Sequence, residues 1–213
     1  MQNMKFRHEL KYDISYKDYL TLRKRLKKYA EYDVNASDKG YYKIHTLYID
    51  NPGMDSNEIF RIRYYNNDTS YIILEKKTII NSLCLNKCAL ITKEQCEHIL
   101  QNDIEYINNS ADPLVQELYA KMKVRFLRPA HAEHYIREPF ILSMGKIRIT
   151  IDRNIHTTSS VKNFFECPKL SSGIFSNIIM GFKYDEPVSY GEIVKSNPLF
   201  ENRKLLPEKI SID

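Results

Sequence analysis

Polar and apolar residues alternate one by one along much of this chain, the period of strands whose two faces meet different surroundings. The alternation runs over Lys5–Asp13, Lys43–Asp50, Glu58–Tyr65, Tyr71–Thr78, Leu83–Leu90, Val124–Arg128, His131–Glu138, Lys146–Asp152 and Ile178–Asp185. Most connections are short and polar, as in Asn66-Asn67-Asp68, which suits antiparallel hairpins. Strands spread over the whole length predict a mainly antiparallel fold, a barrel or a sandwich, and not a doubly wound sheet.

Three helices interrupt the strands. Ser15 is placed as an N-cap with Asp18 three residues on, and Leu22, Leu26 and Tyr29 form a stripe running to about Tyr32. Thr92 and Gln95 form a capping box for a short helix to about Gln101. Asp112-Pro113 opens a third helix with Leu114, Val115, Leu118, Tyr119 and Met122 on one face. A weaker helical pattern covers Ser189–Lys195, and the tail from about 197 has no clear period. There are no repeats and no Pro-, Gly- or Ser-rich linker, so residues 1–213 read as one domain.

The polar faces of these strands are unusual. Side chains two apart share a face. Arg7, Glu9 and Lys11 share one, as do Arg61 with Arg63, Glu75 with Lys77, Tyr135 with Arg137, Lys146 with Arg148, Thr150 and Asp152, and Lys183 with Asp185. The chain as a whole is nearly balanced, with 32 Lys and Arg against 27 Asp and Glu. These faces are skewed toward base, and the basic pairs recur on separate strands. If they converge inside a barrel, roughly eight cations meet two or three carboxylates; buried like charges repel, so the interior must be wet and hold a multivalent anion. Arg forks match phosphate oxygens two at a time and Lys acts as a point charge. Glu9 or Glu75 would then be placed to hold Mg²⁺ or Mn²⁺, which prefer oxygen ligands. The alternative from patterning alone is a sandwich whose charged faces look into solvent.

The stretches Arg7-His8-Glu9-Leu10-Lys11-Tyr12, Leu47-Tyr48-Ile49-Asp50, Phe60-Arg61-Ile62-Arg63-Tyr64-Tyr65, Leu74-Glu75-Lys76-Lys77, Tyr135-Ile136-Arg137-Glu138 and Arg148-Ile149-Thr150-Ile151-Asp152 occur in that order. The ordered set resembles the bacterial polyphosphate polymerase (VTC-type) domain of the triphosphate tunnel metalloenzyme, or CYTH-like, superfamily. The likeness covers about Lys5 to Asp185. It implies an α+β, mainly antiparallel fold: an eight-stranded tunnel-like barrel with a basic lumen and a few helices packed outside. It also implies binding of ATP, tripolyphosphate or polyphosphate, with Mn²⁺ or Mg²⁺ as cofactor and transfer of the γ-phosphate of ATP to a growing polyphosphate chain.

By this resemblance Arg61, Arg63, Lys77, Arg137 and Arg148 are phosphate ligands, with Lys11 and Lys87 beside them. Arg7 and Lys183 complete the phosphate-binding set, and Glu9 and Glu75 are the metal ligands. Lys11, Arg61, Arg63, Lys77, Arg137 and Arg148 would carry catalysis, by positioning and charge stabilisation. The chain departs from the family pattern in three places. The metal-ligand Glu of the last strand is replaced by Gly181, which supplies no ligand. The connection Asn51–Asn57 is short. The closing Ser-Lys-Tyr strand is not recognisable, which leaves Lys204 or Lys209 as stand-ins. The alternative readings are a polyanion-binding domain that does not turn its ligand over, or a triphosphatase with water as acceptor.

Other signals point away from other chemistries. Cys84, Cys88, Cys96 and Cys167 are not a disulfide scaffold at this length, and Cys84-x-x-x-Cys88 has no second pair for zinc. Free thiols, with no secretory signal over Met1–Tyr12, place the chain in the cytoplasm. His131 and His134 lie on opposite faces of a strand, and His45 shares a face with Leu47 and Ile49. No Gly-rich phosphate loop exists among six glycines. Tyr residues fall mostly opposite the Arg pairs, so nucleic acid is not an expected partner. No apolar run approaches the ~20 residues of a membrane span. The basic run Arg23-Lys24-Arg25-Leu26-Lys27-Lys28 reads as a solvated helix face, with a peripheral contact to anionic lipid or polyphosphate as the alternative.

Overall fold

The computed structural model describes residues 6–36, 38–51, 53, 57–81, 83–142, 147–166 and 177–185. The expected helix Ser189–Lys195, the tail from about 197, Lys146, Cys167, Lys204 and Lys209 lie outside those residues. In chain order the elements are β1 (Arg7–Ile14), α1 (Tyr16–Tyr29), β2 (Glu31–Tyr32), β3 (Tyr42–Asp50), β4 (Glu58–Tyr65), β5 (Asp68–Ile80), β6 (Leu83–Ile91), α2 (Lys93–Leu100), α3 (Pro113–Val124), β7 (Arg128–Leu142), β8 (Ile147–Thr158) and β9 (Ile178–Tyr184). Short 3-10 turns occupy Ile104–Ile107 and Val161–Asn163.

The helix starts are those the caps dictate. The Ser15 hydroxyl accepts from the Asp18 amide at 3.1 Å. Both arms of the Thr92–Gln95 capping box form, and Asp112 accepts from the Leu114 and Val115 amides with Pro113 in the first turn. Two expectations need correction. α1 stops at Tyr29, because Glu31 and Tyr32 leave the helix to pair with Ile141 and Phe140 of β7. The separate strand expected over Val124–Arg128 does not form. Val124 closes α3, Phe126 turns through a positive φ of 54°, and β7 then runs unbroken from Arg128 through the next expected strand.

Hydrogen bonding links the strands in the order β2-β7-β3-β4-β5-β6-β1-β9-β8, and β7 also pairs with β8. The eight long strands therefore close an antiparallel barrel topology. The β4–β5 turn carries Asn66 and Asn67 with φ of 51° and 63°, the left-handed pair that a tight two-residue hairpin needs.

The chain divides into two compact units. The first is built mainly on Lys43–His134 and holds β4, β5, β6, α2 and α3. Its core joins Phe60, Ile62, Tyr64, Ile72, Leu74, Ala89 and Ile91 of the sheet to Cys96, Ile99, Leu114, Val115, Leu118 and Met122 of the helices. The second is built on Phe6–Tyr42 and Tyr135–Ile155 with β9, and holds α1 and β1. There Tyr12, Ile14, Ile149, Ile151, Met180 and Phe182 pack with Tyr19, Leu22 and Leu26 of α1. In each unit the helices cover one face of the strands, and the alternating residues turn the other way.

Candidate functional site

In the first unit the face away from the helices carries Arg61 and Arg63 of β4 and Glu75 and Lys77 of β5. A register shift between Arg63 and Tyr65 brings them together, because after it Arg61 stands opposite Glu75 and Ile59 opposite Lys77. Glu75 accepts from Arg61 Nε at 2.5 Å and lies 3.4 Å from Arg63 Nη1. Arg63 Nε also donates to Thr46 Oγ1 at 3.2 Å. Arg63 and Lys77 are both only 6% exposed. This row is shielded, so its charges do not look into bulk water as a sandwich face would.

Lys87 does not join the row. β6 pairs with β5 so that Lys87 stands opposite Lys76, on the face with Ala89 and Ile91, and it is exposed. The positions of β6 that share the face of Glu75 and Lys77 are Cys88 and Asn86. On β7, where Ala132 and His134 turn inward to the core side, Glu133 takes the other face and accepts from Tyr48 at 3.1 Å.

In the second unit, β1, β9 and β8 set up successive rows. Glu9, Lys183 and Arg148 are aligned, followed by Lys11, Gly181 and Thr150, then Asp13, Ile179 and Asp152. Arg137 grips Asp152 at two points, Nε to Oδ1 and Nη2 to Oδ2, each 2.6 Å. Burial works against that guanidinium's charge, but Asp152 outweighs it and holds Arg137 protonated well above the usual range. Arg148 Nη2 donates to the Tyr42 hydroxyl and to Asp33, both at 2.8 Å. Its Nε is buried and has no hydrogen-bond partner among the described residues. Lys183 pairs with Glu9 at 2.8 Å and Arg7 with Asp185 at 3.1 Å. Arg7 and Lys11 are exposed.

The expected imbalance of charge is therefore smaller than the strand patterns imply. Asp33 comes from the connection after β2 and Glu133 from a strand position that alternation alone left unremarked. Asp152 and Asp185 are each engaged with a guanidinium. The two expected metal ligands are also engaged, Glu9 with Lys183 and Glu75 with two guanidiniums. Gly181 adds no donor, and a Cβ built there would stand 2.8 Å from Thr150 Oγ1. Among the described residues no three His, Cys, Asp or Glu side chains form a group that could hold a metal ion. The described residues thus do not by themselves assemble a protein-built Mn²⁺ or Mg²⁺ centre.

Outside these rows, the first unit buries His45 against His134. Their Nδ1 atoms are 2.7 Å apart, His45 Nε2 is 2.9 Å from Asn67 Oδ1, and His45 stacks on Tyr64. With Nε2–H donated to Asn67, His45 accepts at Nδ1 from His134. Burial first, and the neighbouring His134 second, push His45 down to about 4. The pair keeps His45 on the core side, as its face with Leu47 and Ile49 predicts. Its partner lies 89 residues away and no pattern announces it.

A family model described as the VTC domain matches residues 6–205. A search of curated protein sequences finds no match. Among solved structures, a Bacillus halodurans protein provisionally described as an adenylate cyclase superposes with a TM-score of 0.61 at 9% identity, covering 100% of this chain and 96% of that one. The PH1012 protein of Pyrococcus horikoshii OT3 gives a TM-score of 0.50 at 10% identity, covering 93% of this chain and 89% of that one. At such identities the likeness is one of fold.

Proposed function

The chain belongs to the VTC domain family, and on that premise we propose that it binds the linear phosphate chain of ATP, tripolyphosphate or polyphosphate through the basic faces of its strands. The observation that carries the reading is the burial of Arg63 and Lys77, with Arg61 half-buried beside them, on a sheet face that ordinary antiparallel strands leave to water. A single Glu75 carboxylate is shared by Arg61 and Arg63, and a guanidinium fork can answer two phosphate oxygens at once. Arg148 adds a specific donor: its buried Nε–H has no acceptor among the described residues, and an anionic oxygen would supply one.

Calorimetric titration with tripolyphosphate tests the proposal. Arg61→Ala and Arg148→Ala are each expected to weaken binding more than tenfold, the scale of one charge-assisted bond. Unchanged affinity in both variants would overturn it. The reaction that the family resemblance implies is transfer of the γ-phosphate of ATP to the end of a polyphosphate chain. A terminal phosphate is already an oxyanion, so the protein's part is to align donor and acceptor and to spread the charge. Incubation with ATP, with and without Mn²⁺, followed by a polyphosphate stain reports that activity. Gly181 favours a second reading, a domain that holds polyphosphate without extending it, and in that case the stain stays blank while tripolyphosphate still binds.

A further inference from the structure

Helix α1 carries a face that neither the core nor the basic rows use. Tyr19, Leu22 and Leu26 seat the helix on the second unit's core. Glu138, almost fully buried on β7, locks it there by accepting from the Tyr19 hydroxyl at 2.7 Å and from Arg23 Nε at 2.5 Å. At 100° per residue the direction opposite that seat falls on Lys17, Lys24 and Lys28, flanked by Leu20, Lys27 and Tyr16. All six are exposed, Leu20 by 50% and Tyr16 by 54%.

This half of the helix has one sign of charge. Its single acid, Asp18, lies toward the side and is tied to the Ser15 hydroxyl at 2.6 Å. None of Lys17, Lys24, Lys27 and Lys28 makes an ion pair with a described residue. The other two helices behave differently, with Lys93 against Glu97 on α2 and Lys121 near Glu117 on α3. Lys27 and Lys28 suit the C-terminal end of the helix dipole, but Lys17 sits at the wrong end, and Lys24 and Lys28 repel as an i,i+4 pair. Intrinsic helix energetics therefore do not account for the stripe. A counter-surface of negative charge does, and the exposed Leu20 and Tyr16 among the lysines distinguish that surface from a soluble polyanion, which offers nothing apolar to receive them.

We propose that α1 is a docking face for an anionic lipid surface, with Lys17, Lys24, Lys27 and Lys28 against the headgroups and Leu20 and Tyr16 at the acyl boundary. The helix spans about 21 Å, enough to lie flat across several headgroups. The face is independent of the phosphate-binding rows.

The test is co-sedimentation of the whole chain with phosphatidylglycerol-rich vesicles and with pure phosphatidylcholine vesicles. Binding is expected only to the anionic ones. Each of Lys17→Gln, Lys24→Gln and Lys28→Gln should weaken it about fivefold, and Leu20→Ser should weaken it several-fold at constant charge. Lys93→Gln on α2 should leave it unchanged, and circular dichroism confirms that each variant is folded. Equal binding to neutral vesicles, full binding by the lysine variants, or full binding by Leu20→Ser would overturn the proposal. So would capture of soluble polyphosphate by α1 with no vesicle binding.

Discussion

The two units bury polar groups beneath their helices in opposite ways. The second unit hides a permanent charge. Glu138 is ringed by the Tyr19 hydroxyl, Arg23 and Arg153, and although burial opposes its ionisation these partners hold it below the ordinary carboxylate range. The first unit hides a neutral pair, His45 and His134, whose charged forms burial disfavours. On the helix side its buried ammonium Lys76 is answered by Glu58 and Glu117, with Lys121 closing the network over the Phe60 ring. A charge held by several donors is robust to pH until its own proton returns. A neutral base held by burial fails as soon as the unfolded chain can take the proton instead.

Removing the carboxylate should produce the largest effect. Glu138→Ala leaves Arg23 and Arg153 without their shared partner and strips the Tyr19 hydroxyl of its acceptor, an expected loss of about 3–5 kcal/mol in urea unfolding. A loss under about 1 kcal/mol would mean that the clasp is solvated and that α1 is held by Leu22 and Leu26 alone.

Acid should then separate the two units. For His45 the folded state binds fewer protons than the unfolded chain between about 4 and the ordinary imidazole value of 6.5. Stability is therefore complete above that upper value and falls as pH drops toward 4, by about 3 kcal/mol. Glu138 has the same sign of linkage in a lower window. Its contribution persists down to the ordinary carboxylate range and disappears only below it. A urea midpoint followed from pH 7 to pH 4 should decline, and His45→Asn should flatten the decline at the expense of some stability at neutral pH. An equally steep decline in His45→Asn would assign the acid sensitivity to other groups.

How much of this was legible in the sequence depends on the range of the signal. Period-2 alternation and helix caps are local, and they placed all three helix starts and eight of the nine expected strands where strands form. The same alternation sorted Arg61 from Ile62 and Arg148 from Ile149. It could not say which faces of neighbouring strands meet, because that depends on register. Arg61 and Glu75 share a face only through the shift beside Arg63, while the tight turn between β5 and β6 sends Lys87 to the far side of Lys77. Pairings across long separations left no trace at all. Asp33 with Arg148 and His45 with His134 are products of closure, and the charge count on the basic faces was too high because those carboxylates were not visible from the strands.

The smallest effect concerns Gly181, where the resemblance leads one to expect an acidic residue. The site is not simply empty. β9 and β8 place Thr150 directly opposite, and a Cβ on residue 181 would come within 2.8 Å of the Thr150 hydroxyl oxygen, closer than real contacts allow. Gly181→Ala should therefore cost about 1 kcal/mol, overpacking offset in part by the stiffer unfolded chain. Thr150→Ala should remove that cost, so that the double variant is more stable than the sum of the two singles by about 0.5–1 kcal/mol. Strict additivity would show that the two positions do not compete for space. If they do compete, Gly181→Glu alone is a poor test of catalytic repair. The carboxylate has to displace Thr150 before it can offer oxygens to a divalent cation, and Gly181→Glu combined with Thr150→Ala is the variant in which the proposed γ-phosphate transfer should first be sought.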